Sequence, residues 1–396
     1  MEHIKLGIIG LGVQGGLYTR ILMDDQPEGR FKAYKPNNVV LGAFCDIDPE
    51  KKAQYTASYP DIPFFDDWKE MVDSGKVDAV ITTVPHYLHT VIATYCLEHG
   101  MNVIVEKPAG VDAKHVHAMN DCALQHPDVA FGVMFNTRTS PVYQKVRELI
   151  QTGEMGEFRR LNWLCNGWYR TDSYYRSSSW RATWGGEGGG ILVNQLPHQL
   201  DLWQWLVGEP KKVMSICVEG AHRDIAVEND VTIVAEYENG ATGVMVACTH
   251  DMNGTDRLEL DFSKGKIVVD GHGQATVYRY KFDESYVNAN MSHREAMALT
   301  SGSRAGTGSE NIQVEKIEIH DFGKGHGGVM ENFADHILRG TPLLAPGTDG
   351  IMGVRLANAA QLSSWLNRPV EFPVDEELYL SELNKRIAAE GKFETK

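Results

Sequence analysis

The sequence predicts an α/β fold joined to an α+β one: a parallel sheet with helices on both faces, then a mostly antiparallel open sheet. Three observations predict it. Up to Phe135, short and almost wholly apolar strands alternate with helical periodicities, the pattern of a sheet covered on both sides. After Phe135 come eight segments of strand composition, several alternating with period two, and Asn239-Gly240 between two of them is a hairpin turn. The 396 residues are too many for one ordinary core and suit two, which we divide at 1–135 and 136–396.

The first strand is Ile4 to Ile9, running straight into Gly10, and Gln14 to Met23 reads as the helix after it. Val39 to Cys45 is the second strand, after a polar loop from Asp24 to Asn38. A helix over 49–58, a short strand at Phe64 and a helix over 68–72 follow. Ala79 to Thr83 is a buried strand, and Leu88, Val91, Ile92 and Tyr95 fall at helical spacing. The strand 102–105 ends at Glu106-Lys107-Pro108; a helix over 113–124 and a strand over 130–135 complete the first half. A connecting helix carries Val142, Val146, Leu149 and Ile150. The strands of the second half are 158–165, 212–219, 231–238, 242–249, 257–261, 265–270, 276–281 and 314–319, with one helix inserted over 190–206. Thr300 to Gly308 has the composition of a mobile loop. Helices over 329–338 and 350–365 close the chain and have room to pack back on the first half.

A formal net charge of −15 disfavours nucleic acid and anionic membranes, which leaves a small molecule as the expected partner. No apolar run has the length of a membrane span, and the first strand starts too early for a cleaved leader. The six cysteines form no CxxC pair and several sit in apolar runs, as expected of reduced thiols in the cytoplasm.

Gly10-Leu11-Gly12-Val13-Gln14-Gly15 matches GxGxxG, follows a strand and opens a helix. A dinucleotide pyrophosphate needs backbone N–H groups at a helix N-terminus with no side chains in the way, so this is a Rossmann-type turn. Asp46 closes the second strand, where an acid accepts both ribose hydroxyls; it would repel a 2′-phosphate, so NAD is favoured over NADP. Its competing role is to cap the next helix, which Asp48 can also do. Lys107 lies at the carboxyl end of a parallel strand, the edge where such sheets bind ligands, held by Pro108 in an extended turn that admits a cis peptide. In the run Gly188 to Asp201, an unbroken helix puts Asn194 and His198 on one face and Asp201 near His198, although Pro197 threatens a kink. His86, His89, His115 and His117 lack acids or cysteines at metal-binding spacing, so no metal site is expected.

Together, the glycine turn, Thr83 to His89, Glu106-Lys107-Pro108, Asn136, Arg138, Gly189-Gly190 through His198 and Asp201, Phe333 to Pro342, and Asn358 to Trp365 resemble the Gfo/Idh/MocA oxidoreductase family over essentially the whole chain. The resemblance implies that Lys107 meets substrate and nicotinamide, and that His198 is the catalytic histidine. It implies that Asp46 holds the adenosine ribose and that Thr83, Pro85, His89, Glu106 and Asn136 line the cofactor. Trp180 and Arg181 would reach the nicotinamide end. Two residues depart from the family pattern. Asn194 stands where Asp is usual, so a charged dyad with His198 is missing, and His86 stands where Asn is common.

Oxidising a secondary alcohol needs a base and a fixed positive charge. His198 is assigned as base and Lys107 as the cation, with the exchanged roles left open. Trp163, Trp168, Tyr169, Tyr174, Tyr175, Trp180 and Trp184 crowd one stretch, and aromatic faces stack on sugar rings. Arg170 and Arg176 can bond hydroxyls or a carboxylate. The expected substrate site is Lys107, Tyr169, Arg170, Tyr175, Asn194 and His198. Three readings stay open: a dehydrogenase of a sugar, glycoside or cyclitol; an NAD-retaining, redox-assisted glycosidase or lyase with Tyr169 or Tyr175 as its acid; and a non-catalytic NAD-binding regulator. A homo-oligomer, dimer or tetramer, is expected from the open sheet face.

Overall fold

The computed structural model describes residues 2–24, 33–271, 273–300, 311–319 and 323–392. Six strands form the first sheet: β1 (Ile4–Ile9), β2 (Val39–Cys45), β3 (Phe64–Phe65), β4 (Ala79–Thr82), β5 (Asn102–Val105) and β6 (Phe131–Val133). Their order is β3-β2-β1-β4-β5-β6 and every pair is parallel. The order reverses between β1 and β4, so the carboxyl ends of these strands open a crevice, the usual ligand edge of such sheets. Strands buried on both faces account for the apolar runs: β4 is buried at all four positions.

Nine strands form the second sheet: β7 (Phe158–Cys165), β8 (Lys212–Glu219), β9 (Glu228–Glu236), β10 (Thr242–Cys248), β11 (Asp256–Phe262), β12 (Gly265–Asp270), β13 (Gln274–Tyr280), β14 (Ile312–Glu318) and β15 (Val370–Glu371). The order is β14-β13-β12-β11-β7-β10-β9-β8-β15. All its described pairs are antiparallel except β10 with β7. The helix Gly350–Leu366 covers one face, with Ser215 and Cys217 of β8 bonded to Ser363 and Ser364. The alternate residues Met214, Ile216 and Val218 are exposed on the other face.

The helix Gly325–Arg339 does pack back on the first sheet: Val329, Met330, Phe333 and Ala334 share a core with β1, β2 and β4. A second tie is Asn358, which bonds Ala113 N and Val111 O.

One expectation is corrected. The segment 190–206 is two helices, Ile191–Asn194 and Pro197–Val207, because Pro197 occupies a first-turn position, where its missing N–H costs nothing. The expected mobile loop falls largely on 301–310, outside the described residues, and Thr300 ends the helix His293–Thr300. That helix, Glu284–Asn290 and Glu376–Glu390 were not foreseen.

Candidate active site

The glycine turn connects β1 to the helix Val13–Met23. Gly10 has φ +95°, in the left-handed region, and a Cβ at Gly15 would stand 2.0 Å from the Gly10 carbonyl. The helix start carries no side-chain cap, Gly12 has no atom within 4 Å of its missing side chain, and Val13 is 90 % exposed. Free N–H groups at a bare helix N-terminus make a cradle for a pyrophosphate. Thr83 ties this turn to the end of β4 by bonding Ile9 O and Gly10 O.

Asp46 Oδ2 accepts from Leu11 N at 2.6 Å, and Oδ1 accepts from Asp48 N. The carboxylate is therefore fastened beside the turn, while Asp48, not Asp46, caps the following helix through Glu50 N. Asn136 begins a short 3₁₀ turn after β6, and its Oδ1 is buried without a partner among the described residues. An orphaned buried acceptor at the carboxyl edge of the sheet that carries the glycine turn fits a bound dinucleotide.

His89 lies buried at the carboxyl edge of the first sheet. Its ring nitrogens face Pro108 O at 2.7 Å and Val84 O at 2.9 Å, so the ring spans two strand ends; burial lowers its pKa to about 4. Pro85 is exposed on the loop after β4. Glu106 is buried, accepts from the Tyr18 hydroxyl and from Lys107 N, and burial raises its pKa.

The Lys107–Pro108 peptide is cis. Lys107 Nζ donates to Asn194 O at 3.2 Å, which brings the edge of the first sheet to the glycine-run segment. Burial lowers the ammonium's pKa; Glu106 and Glu187 oppose that shift, and Arg181 and Arg170 reinforce it. His198 stands in the first turn of Pro197–Val207, with Phe135 in edge contact and Nδ1 buried and unpartnered among the described residues. Burial holds its pKa well below the ordinary imidazole value, with Lys107 and His326 adding repulsion.

The Asp201 carboxylate does not orient His198. It accepts from Arg138 Nε at 2.9 Å and Nη2 at 2.6 Å, in a buried pair that Asp349 completes. Both side chains lie in the helix Pro197–Val207, and it is the tertiary contact with Arg138 that takes the carboxylate away from His198. Asn194 likewise turns to Glu187, its amide donating to that carboxylate.

Two groups at this site escaped the sequence reading. Glu187 is 1 % exposed, accepts from Ala182 N at 2.6 Å, and pairs with Arg181 at 3.6 Å. Its carbonyl faces His86 Nδ1. Burial raises its pKa, and bonds from Ala182 and Asn194 favour the charged form. His326, second residue of Gly325–Arg339, packs against Tyr18, and burial lowers its pKa to about 4, with Lys107 adding to the shift. Glu187 lies in the glycine-rich stretch that was read, so an acid between Gly186 and Gly188 was a usable signal. His326 lies far from the other site residues in sequence and offered none.

The aromatic stretch divides. Trp163, Trp184 and Tyr175 are core residues, Tyr175 with its hydroxyl on Thr249 at 2.8 Å. Trp180 sits edge-on to His86. Tyr174 lies under both Arg170 and Arg181, at 4.9 and 4.5 Å, and its hydroxyl accepts from Arg181. Tyr169 is partly exposed under Arg223, and Arg176 is exposed.

Residues 4–134 match the family described as "Oxidoreductase family, NAD-binding Rossmann fold", and residues 143–268 match the "GFO/IDH/MocA C-terminal domain". Among curated relatives, levoglucosan dehydrogenase of Pseudarthrobacter phenanthrenivorans is 24 % identical over 85 % of this chain and 93 % of its own. Inositol 2-dehydrogenase of Corynebacterium glutamicum is 23 % identical over 60 % of this chain and 65 % of its own. The solved WlbA dehydrogenase of Bordetella pertussis, in complex with NADH and UDP-GlcNAcA, superposes with TM-score 0.72 at 20 % identity, covering 94 % of this chain and 100 % of that one. With both halves matched and the NAD cradle in place, this chain belongs to the Gfo/Idh/MocA family of NAD-binding oxidoreductases.

Proposed function

We propose that the protein is an NAD-dependent dehydrogenase acting on a secondary hydroxyl of a sugar, glycoside or cyclitol. The observation that carries this is Lys107, held at the carboxyl edge of the first sheet by Asn194 O, within electrostatic reach of His198, whose Nδ1 is buried and unpartnered among the described residues. The relatives that act on levoglucosan and inositol support the polyol class.

NAD would lie from Asp46 past the glycine turn toward Lys107 and, when bound, supply the hydride acceptor. The chain supplies the rest. Lys107 bonds the reacting hydroxyl and stabilises the negative charge that grows on its oxygen as the proton leaves. His198 takes that proton, since a lowered pKa keeps the imidazole neutral and able to accept it near neutral pH. Glu187 receives Asn194 and Arg181 and so fixes the strip of backbone that Lys107 grips.

The same reading makes the enzyme a cytoplasmic homo-oligomer: its six cysteines are free, and the second sheet leaves one face of Met214, Ile216 and Val218 uncovered. The test follows the NADH absorbance band in purified protein with NAD or NADP and a panel of sugars, inositols and glycosides. NADH formation with at least one polyol, lost in Lys107→Ala and His198→Ala, is the expected result. A panel without turnover, or variants that behave like the parent protein, contradicts the proposal. Aglycone release with no NADH indicates a redox-assisted glycosidase or lyase instead.

A further inference from the structure

The chain as a whole is strongly acidic, yet the charges that act on Lys107 include two arginines, Arg181 and Arg170, against the two glutamates Glu106 and Glu187. Glu106 faces Lys107, and Glu187 pairs with Arg181. Arg170 is left over: among the described residues it has no ion pair, and its Nε is buried without a hydrogen-bond partner. Nη1 is spent on Tyr169 O at 2.9 Å. What remains is the edge formed by Nε and Nη2, the side of a guanidinium that meets a carboxylate with two parallel bonds.

This arginine is also held in place. Its Cζ lies 5.6 Å from the Trp168 ring and 4.9 Å from the Tyr174 ring, which Arg181 shares. Arg170 N donates to Thr249 O, and Arg223 Nε donates to Arg170 O, both at 2.8 Å. Its charge reaches Lys107, where it opposes the ammonium. A pre-positioned cation with unspent donors, crowded against like charges, stores repulsion that a bound anion relieves. Neutral sugar hydroxyls do not relieve it.

We propose that the substrate is an acidic sugar, a pyranose or cyclitol derivative carrying a carboxylate, and that Arg170 grips the carboxylate while Lys107 takes the reacting hydroxyl. This rests on the dehydrogenase reading and narrows it. The free edge offers two coplanar donors, which match the two oxygens of a carboxylate. Arg170 touches the substrate only; the redox chemistry stays with Lys107 and His198.

The test is calorimetric titration of the NAD-saturated, full-length protein with matched probes: glucose against glucuronate, galactose against galacturonate, and glucose 6-phosphate. At least one uronate is expected to bind about tenfold or more tightly than its neutral partner, the range of a charge-assisted pair of bonds. That advantage should shrink as salt is added. Arg170→Gln should remove the advantage and Arg170→Lys restore part of it, with the NAD dissociation constant unchanged. Equal binding of the pairs, no binding of either uronate, or tighter binding of the phosphate ester overturns the proposal. So does loss of NAD affinity in Arg170→Gln, which assigns the arginine to the cofactor. NADH formation is read separately: turnover of neutral sugars without uronate preference sinks this inference alone, whereas uronate binding with no NADH sinks the dehydrogenase reading alone.

Discussion

A neutral imidazole beside a cationic lysine has a consequence for pH. His198 acts as base only when unprotonated, and its pKa lies well below the ordinary 6.5. The oxidation kcat/KM should therefore stay level as pH falls through 6.5 and drop only below it. A profile over about pH 5 to 8 checks this, and a loss centred at or above 6.5 contradicts it. Truncation of either group should cost roughly 10²–10⁴ in kcat, with NAD affinity retained. The side chains proposed for this chemistry were visible as motifs: Lys107 after a strand, His198 after a glycine run. Their partners were not. Helical spacing puts Asp201 close to His198, and the two do share one helix, but the Asp201 carboxylate meets Arg138, 63 residues earlier in the chain. Such a partner is set by tertiary packing, which no local spacing encodes.

At the scale of elements, the glycine run of residues 188–190 positions the site by passing close to β9. A Cβ on Gly190 would lie 1.9 Å from Glu228 O, so Gly190→Ala should lower both thermal stability and turnover. The Glu228 carboxyl, in turn, receives Gly190 N at 3.0 Å and Leu192 N at 3.3 Å, and burial pushes its pKa up to about 7 from 4.5. The folded state thus binds this proton more tightly than the unfolded one. Its contribution is fully present below 4.5 and is lost as pH rises to about 7. Glu228→Gln should accordingly raise the melting temperature relative to the parent protein more at pH 8 than at pH 5, by on the order of 3 kcal/mol of stability. A pH-independent difference contradicts that account. Asp201→Asn should cost about 1.5–3 kcal/mol in denaturant unfolding, because buried Arg138 loses one of its two carboxylate partners and keeps only Asp349. Strands were legible because their burial imposes a composition. The helices Glu284–Asn290 and Glu376–Glu390 were missed: the first has no buried residue, and the second buries only Tyr379, Leu383 and Ile387. The first therefore has no apolar stripe to read, while Tyr379, Leu383 and Ile387 of the second recur at helical spacing and were a usable signal.

The whole molecule combines a dinucleotide edge with a broad sheet whose strand-linking segment reaches back across that edge. The chain from Asn166 to Lys211, between β7 and β8, carries Arg170, Tyr174, Glu187 and His198, so on the proposed function changes there should alter substrate choice without disturbing the glycine turn. The uncovered sheet face should make the protein self-associate; light scattering across a gel-filtration peak should give at least twice the chain mass, and a monomer mass contradicts this. The central claim is that hydride passes from a polyol carbon to NAD beside Lys107 and His198. The most direct measurement supplies a turned-over polyol with deuterium on its carbinol carbons and weighs the reduced cofactor. The account predicts deuterated NADH from the parent protein, and none from Lys107→Ala on the same timescale. Reduced cofactor without deuterium, or equal labelling in that variant, would contradict it.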